Sequence, residues 1–425
     1  MPSSPGTFDV VGIGAGPSNL SVAALLSACP DVQSLFLERA GEFRWHPGLL
    51  LSNATLQNSF LKDLVTPVDP THECSFLNFL NGRGRLYSFF NANFPRVLRT
   101  EFDEYLRWVV GRLQNLRFST EVSSVECDKD GFVIRVDGGE SIKARNIILG
   151  VGTRPVVPPC CEGHLGLTVF HVEGFAERAP TLSGKRVVVV GGGQSGAEVL
   201  QALFALSVAP SELTWVTRRT NFLPLDESAF VNEMFTPAYA HFFSRQPKSQ
   251  RETLVDQYHL ASDGVSPEVL QDLYRTLYRH QYLDASPWPV RLKPGWELTA
   301  IEPDRRDAWR CEFARPSTAD HLSVTADVVV LCTGFSTGSN HLLHRDLLAR
   351  LSMEGNSIRI GSDYAAEWKV PAPGRLFVLN AALAQRGIAD PNLALLAWRA
   401  ARVVNSLAGR AVYPKIDPAG VVEWD

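Results

Sequence analysis

Short runs of β-branched and aliphatic residues recur along the chain, and several break at glycines before a stretch of helical periodicity. TFDVVGIGAGPSNLSVAALLSA near the N-terminus and GKRVVVVGGGQSGAEVLQALF about 180 residues later share this pattern. Each predicts a buried strand, a tight turn and a helix start. A second strand follows each one, SLFLERA in the first case and LTWVTRRTNF in the second. ARNIILGVGTRPVVPP and ADVVVLCTGFSTGSN read as further strands ending in glycine turns, the first closing near Pro158 and the second near Gly334. GRLFVLNAALAQRGIADPNLALLAWRAARVVNSLAG predicts a strand, a loop and a long amphipathic helix that returns to complete the first unit. Between Phe222 and Leu292 the period is helical and aromatics are frequent, which fits neither glycine-turn unit.

A strand–glycine turn–helix lets backbone N–H groups at a helix N-terminus meet a pyrophosphate. In the first turn Gly12, Gly14 and Gly16 supply the bend, and Pro17 replaces the third glycine of the usual spacing. Proline suits a first helical turn. Glu38 ends the next strand. An acid there accepts a ribose 2′-OH and repels a 2′-phosphate, so this turn suits FAD or NAD; a surface glutamate is the bland alternative. The second turn has the complete spacing in Gly191, Gly193 and Gly196, and Arg218 stands where the acid would be, 22 residues past Gly196. A guanidinium there pairs with the 2′-phosphate of NADPH, against the alternative of a solvated arginine. Gln194 and Ser195 begin that helix, to meet the pyrophosphate or to cap the helix.

Two such turns of opposite selectivity predict an α/β chain of two Rossmann-like dinucleotide-binding domains, one for FAD and one for NADPH. The expected limits are residues 1–180 for the first part of the FAD domain and 181–335 for the NADPH domain. A helical substrate-covering insertion is expected at about 222–292, and 336–425 returns to the FAD domain. Composition narrows the rest. A net charge of −4 without basic clusters argues against nucleic acid. No basic leader and no run near the ~18 apolar residues of a spanning helix predict a cytoplasmic chain without a membrane span. The seven cysteines are irregularly spaced with no C-x-x-C, so they read as reduced thiols. The histidines form no H-x-x-x-H pattern, and no metal is expected.

The blocks FRWHPGLLL (43–51), LQNSFLKDLVTPVDPT (56–71), RTEFDEYLRWV (99–109), GGGQSGAE (191–198), DESAFVNEMFTP (226–237), SDG (262–264) and CTGF (332–335) occur in that order. On them the chain resembles the flavin-dependent N-hydroxylating monooxygenases of siderophore biosynthesis, particularly the lysine N6-hydroxylase branch. The resemblance implies that Gln57 lies near the flavin and the nicotinamide, that Lys62 pairs with an amino-acid carboxylate, and that Arg99 sits near the isoalloxazine. It implies that Asn232 reaches both substrate and nicotinamide ribose, that Ser195 and Arg218 contact NADPH, and that Asn392 and Leu393 give backbone contacts to the flavin. Trp45 and His46 belong to the implied flavin set, with packing against the first sheet as the alternative. Ser262 stands, as in the lysine enzymes, where ornithine enzymes have asparagine. Taken alone, Lys62 could pair with Asp63 and Asn232 could cap a helix.

The implied reaction is FAD- and NADPH-dependent N-hydroxylation of the terminal amine of L-lysine by dioxygen, through a C4a-hydroperoxyflavin, giving a hydroxylamine for a hydroxamate siderophore. A diamine (putrescine or cadaverine) or another primary amine such as histamine is the alternative substrate, and a homo-oligomer is the implied assembly. Two departures bear on the amine: Gln385-Arg386-Gly387 replaces the family's Thr-His-Gly, and Ala394 replaces a substrate-contacting serine. Rival readings are weaker. A disulfide reductase needs a redox cysteine pair, and Cys160-Cys161 are adjacent behind two prolines. A Baeyer–Villiger enzyme would have an F-x-G approach where Leu165 and Leu167 stand. A flavin-holding sensor is supported only by the altered 385–387 loop.

Overall fold

Strand Thr7–Ile13 pairs in parallel with Ser34–Leu37 on one side and Ser141–Leu149 on the other. These three form the centre of a seven-stranded sheet in a computed structural model that describes residues 6–304, 307–338, 340–417 and 420–424. Leu116–Arg117 forms one edge, and the antiparallel strands Phe132–Val136 and Val122–Cys127 extend the other. Leu376–Val378 pairs in parallel with Ser141–Leu149, so the chain does return to its first sheet. Helix Leu396–Ala408 then packs on helix Pro17–Leu25. Helix Arg99–Val110 buries Phe102, Leu106 and Val109, an i, i+4, i+7 stripe that holds it against the same core.

The second sheet has five parallel strands, in the order Val290–Pro294, Glu212–Thr217, Arg186–Val190, Val328–Leu331 and Val169–His171. Val187 and Val189 join one apolar cluster with Leu200 and Trp215, while Val188 and Val190 join another with Phe313 and Leu331. Cover on both faces is why the valine run is continuous rather than alternating. The antiparallel strands Glu297–Asp304, Ala308–Arg315 and Asp320–Ala326 supply the second cover. Val169–His171 belongs to this sheet although it precedes residue 181, where the second domain was expected to begin. The α/β fold class with two Rossmann-like sheets is thus as the sequence predicts.

The chain crosses between the sheets twice, and both crossings lie in one ribbon: Thr153–Pro155 pairs antiparallel with Phe335–Thr337. The 222–292 stretch carries helices Ala229–Asn232, Pro237–Arg245, Lys248–Gln257, Leu260–Asp263 and Pro267–Tyr282. Met234, Phe235, Tyr239 and Phe243 pack into the first core, whereas Val265 and Leu273 pack into the second. These helices therefore bridge the seam between the sheets. Among the described residues no helix is long and apolar enough to cross a membrane, and no group of three or more His, Cys, Asp or Glu could hold a metal ion. All seven cysteines are free thiols, and burial pushes the Cys161 thiol well up, out of the reactive range.

Candidate functional site

The first glycine turn is shaped by close backbone approach. Gly14 has φ +92°, and a Cβ there would lie 2.4 Å from the Gly150 carbonyl oxygen. Asn19, fully buried, donates to the carbonyls of Ile13 and Gly14 at 3.0 and 2.7 Å and braces the bend. Around Gly16, by contrast, a Cβ would meet nothing within 4 Å. Helix Pro17–Leu25 starts there without any side-chain cap, leaving its first N–H groups unsatisfied by the chain. Glu38 leans over the turn, its carboxylate accepting the Ala15 N–H at 2.9 Å and the Ala40 N–H at 3.0 Å. An open helix N-terminus flanked by a carboxylate fits an adenine dinucleotide with a free ribose 2′-OH.

The second turn repeats the construction with a different flank. Gly191 has φ +125°, and Gly196 lies so close that a Cβ would be 2.2 Å from the Gly191 carbonyl oxygen. Trp215 Nε1 donates to that same carbonyl at 2.8 Å. Helix Gln194–Phe204 also begins without a side-chain cap, at Gly193, so Gln194 and Ser195 do not serve as caps. Arg218 is 79% exposed, and its nearest acid, Glu297, is 4.0 Å away. Arg219 is committed elsewhere, donating to the Asp263 carbonyl at 2.9 Å. Only one of the two arginines at the strand end is therefore free to meet a 2′-phosphate.

Between the turns lies a polar seam. Gln57 Nε2 donates to Gln194 Oε1 and to the Gly264 carbonyl, both at 3.3 Å. Gln194 Oε1 also accepts the Ser266 N–H at 2.8 Å, and its Nε2 donates to Glu198 at 2.7 Å. Glu198 is paired with Arg99. Arg99, which the resemblance puts near the isoalloxazine, is linked to Gln194 and Gln57 through Glu198. His46 adopts a left-handed backbone with φ 46°; its ring packs edge-on against Trp45 and Phe335. Although surrounded by protein it is solvent-accessible, as a residue on a cleft wall would be. Burial and then the Arg99 charge hold its imidazole below the usual histidine range. Trp45 packs partly buried against Phe102, so the packing alternative also describes it.

Lys62 is half-buried, and its ammonium makes no ion pair or side-chain hydrogen bond among the described residues. Its neighbour Asp63 is fully occupied, accepting N–H groups from Val65, Thr66 and Phe76 and the Thr66 hydroxyl, so no Lys62–Asp63 pair forms. Burial lowers the Lys62 ammonium from its ordinary value, and the charge of Glu233 partly opposes this. Asn232 is exposed at the end of its short helix, which Ser228 caps, and its Nδ2 donates to the Glu227 carbonyl at 3.2 Å. Ser262, half-buried, bonds within its own turn, its hydroxyl lying 3.2 Å from the His259 carbonyl and 3.3 Å from Asp263 Oδ1.

The last loop closes the first site from below. Asn392 Oδ1 accepts from Asn58 at 2.7 Å and from the Ala394 N–H at 2.8 Å, while its carbonyl accepts from Arg399 at 3.1 Å. Leu393 packs partly buried against the first core. The departure at 385–387 has a structural basis: buried Gln385 exchanges hydrogen bonds with Ile358 and Ile360 at 2.8 and 3.1 Å, and Arg386 donates to the Gly361 carbonyl. Arg96, Glu198, Glu227 and Asn58 join the site without having been picked from the sequence. Their types carry no periodic signal, although Asn58, Glu198 and Glu227 lie within the blocks 56–71, 191–198 and 226–237.

Comparison with known proteins shows the family and the fold. The profile of the L-lysine 6-monooxygenase/L-ornithine 5-monooxygenase family matches residues 6–337. The L-lysine N6-monooxygenase of Escherichia coli is 37% identical over 422 residues, spanning 98% of each chain. A cadaverine monooxygenase of desferrioxamine biosynthesis from Erwinia amylovora, solved with FAD, superposes with a TM-score of 0.90 at 27% identity, covering 98% of both chains. The Kutzneria ornithine N-hydroxylase, solved with reduced FAD, NADP⁺ and L-ornithine, gives 0.87 at 27% identity, covering 94% of this chain and 99% of that one.

Proposed function

The chain belongs to the L-lysine 6-monooxygenase/L-ornithine 5-monooxygenase family, and from that premise we propose that it hydroxylates the terminal primary amine of L-lysine. It is a flavin-dependent N-monooxygenase of siderophore biosynthesis, working with FAD and NADPH. Reduced by NADPH, the flavin supplies the activation of dioxygen. The protein's part is to hold, orient and keep dry.

In this reading Glu38 receives the FAD ribose and Arg218 the 2′-phosphate of NADPH. The two uncapped helix N-termini take the pyrophosphates. Gln57, bonded to both Gln194 and Gly264, fixes the edge of the seam where flavin and nicotinamide would meet. Asn232 faces the cleft from the bridging helices, which exclude water from the reacting centre. Residues 1–180 with 336–425 would form the FAD-binding part, 181–335 the NADPH-binding part, and 222–292 the cover; cytoplasmic action as a homo-oligomer completes the reading.

The observation that carries the choice of lysine is the unpaired, half-buried ammonium of Lys62. A half-buried cation that Glu233 influences but does not pair with directly is a place for a substrate carboxylate. The incoming amine, of pKa ~10.4, must lose its proton before it can act as a nucleophile, and desolvation in the closed site favours the uncharged form. Cadaverine is the second reading, supported by the TM-score of 0.90 with the Erwinia enzyme and by Ala394. A panel of lysine, ornithine, putrescine, cadaverine and histamine, scored for hydroxylamine rather than NADPH loss, tests both. A higher kcat/KM for a diamine than for lysine would overturn the first.

A further inference from the structure

Arg96 stands where three separate segments of the site converge. Leu56 donates its N–H to the Val97 carbonyl at 2.9 Å, Arg99 donates to the Ala54 carbonyl at 2.8 Å, and Thr55 bridges Leu98 in antiparallel register. This short ladder lays Arg96 beside Gln57, whose carbonyl accepts Arg96 Nη1–H at 2.9 Å. The other arm of the guanidinium, Nη2, donates to the Glu227 carboxylate, and Nε lies 3.9 Å from Glu268 at the start of helix Pro267–Tyr282. The Glu227 backbone carbonyl in turn accepts from Asn232 Nδ2 at 3.2 Å. Arg96 is 15% exposed and Glu227 28%, so the pair is shielded enough to be held in one geometry.

We propose that Arg96 is a positioning residue that sets Gln57, on the flavin side, against Asn232, on the bridging helices. A planar fork with its donors in fixed directions couples two segments that no backbone hydrogen bond joins. Arg96 also offsets the charge of Glu227, with Glu268 at 3.9 Å as a weaker second partner. The proposal rests on the reading of Gln57 and Asn232 as groups that meet nicotinamide and substrate. Misplacement of about 1 Å can cost on the order of 100-fold in rate, and here the loss is read in transfer of oxygen to the amine, as hydroxylamine formed per NADPH.

The test uses the FAD-loaded enzyme with NADPH, air and L-lysine, or cadaverine should the unaltered enzyme prefer it. Arg96→Met is expected to keep bound FAD within about twofold and to lower hydroxylamine formed per NADPH by about tenfold, with peroxide making up the difference. Arg96→Lys should recover only part, because an ammonium cannot serve both partners in plane. Arg96→Met should add little to Asn232→Ala, since both break one chain of contacts. An unchanged hydroxylamine-to-peroxide ratio in Arg96→Met, or a fully additive double variant, overturns the proposal while leaving Asn232 in place. If Gln57→Ala and Asn232→Ala themselves leave that ratio intact, the underlying reading falls and takes this one with it. Should Arg96→Met lose its flavin, Glu227→Gln asks the same question with the Gln57 contact kept: a lowered ratio supports the chain of contacts, an unchanged one refutes it.

Discussion

Arg99 and Glu198 meet through two parallel hydrogen bonds of 2.8 Å, each residue belonging to a different nucleotide-binding fold. Glu198 is 3% exposed, so burial raises its carboxyl while the guanidinium opposes that shift. Removing one member of such a buried pair strands the other charge, at a cost of about 3–5 kcal/mol. Arg99→Met is therefore expected to lower the melting temperature of the cofactor-free protein more than Arg99→Met combined with Glu198→Leu. Differential scanning calorimetry showing the double variant to be the less stable would contradict this.

Arg218 and Arg219 predict opposite outcomes. Arg218 is exposed, with only a 4.0 Å contact to Glu297, while Arg219 holds the Asp263 carbonyl. Losing a charge-assisted phosphate contact costs about 1.5–3 kcal/mol, or roughly ten- to a hundredfold. Arg218→Ala should raise the KM for NADPH by that factor and leave NADH unaffected. Arg219→Ala should leave the NADPH-to-NADH ratio unchanged. Initial rates of flavin reduction with each nucleotide decide the matter.

Lys62 predicts a pH dependence. Burial, with Glu233 opposing, places its ammonium below the ordinary 10.5. In the free enzyme the charge is then present at neutral pH and lost, as pH rises, before an exposed lysine would lose its own. Plotting the ratio of kcat/KM for L-lysine to that for cadaverine cancels most of the substrate amine's ionisation. The ratio should fall on the alkaline side, beginning below 10.5. Lys62→Arg should move that fall to higher pH, since a guanidinium stays protonated. A flat ratio in the unaltered enzyme would remove Lys62 from carboxylate recognition.

The last two glycines of the first turn separate folding from binding. A methyl group on Gly14 would clash with Gly150, whereas one on Gly16 has open space. Gly14→Ala should destabilise the cofactor-free protein. Gly16→Val should keep its melting temperature within about 2 °C yet weaken FAD binding by about tenfold or more, near 1.4 kcal/mol. Fluorescence titration with FAD beside thermal melts distinguishes them; equal melting losses in both variants would mean that Gly16 is structural.

What was legible in the sequence was local or periodic. The turn glycines, the valine run and the Glu38–Arg218 contrast each announce themselves within some 30 residues, because one strand–turn–helix sets them all. The fold class followed directly. The partners that tie the folds together were not legible. Arg96 finds Glu227 across 131 positions, and Arg99 finds Glu198 across 99, so neither pair leaves a spacing to read. The altered 385–387 loop looked like lost function in one dimension. In three, Gln385 and Arg386 are anchored to the backbone at 358–361, a partnership only tertiary contact defines.

The paired strands Thr153–Pro155 and Phe335–Thr337 give the molecule a single spine. Everything between them, the whole five-stranded sheet included, joins the first sheet through backbone along that edge, while the bridging helices and the Arg99–Glu198 pair hold the two halves by side chains. Were the two halves to swing apart, they would open about that line and close again on the same facing surfaces, so Gln57 and Gln194 would return to each other after every turn of the cover.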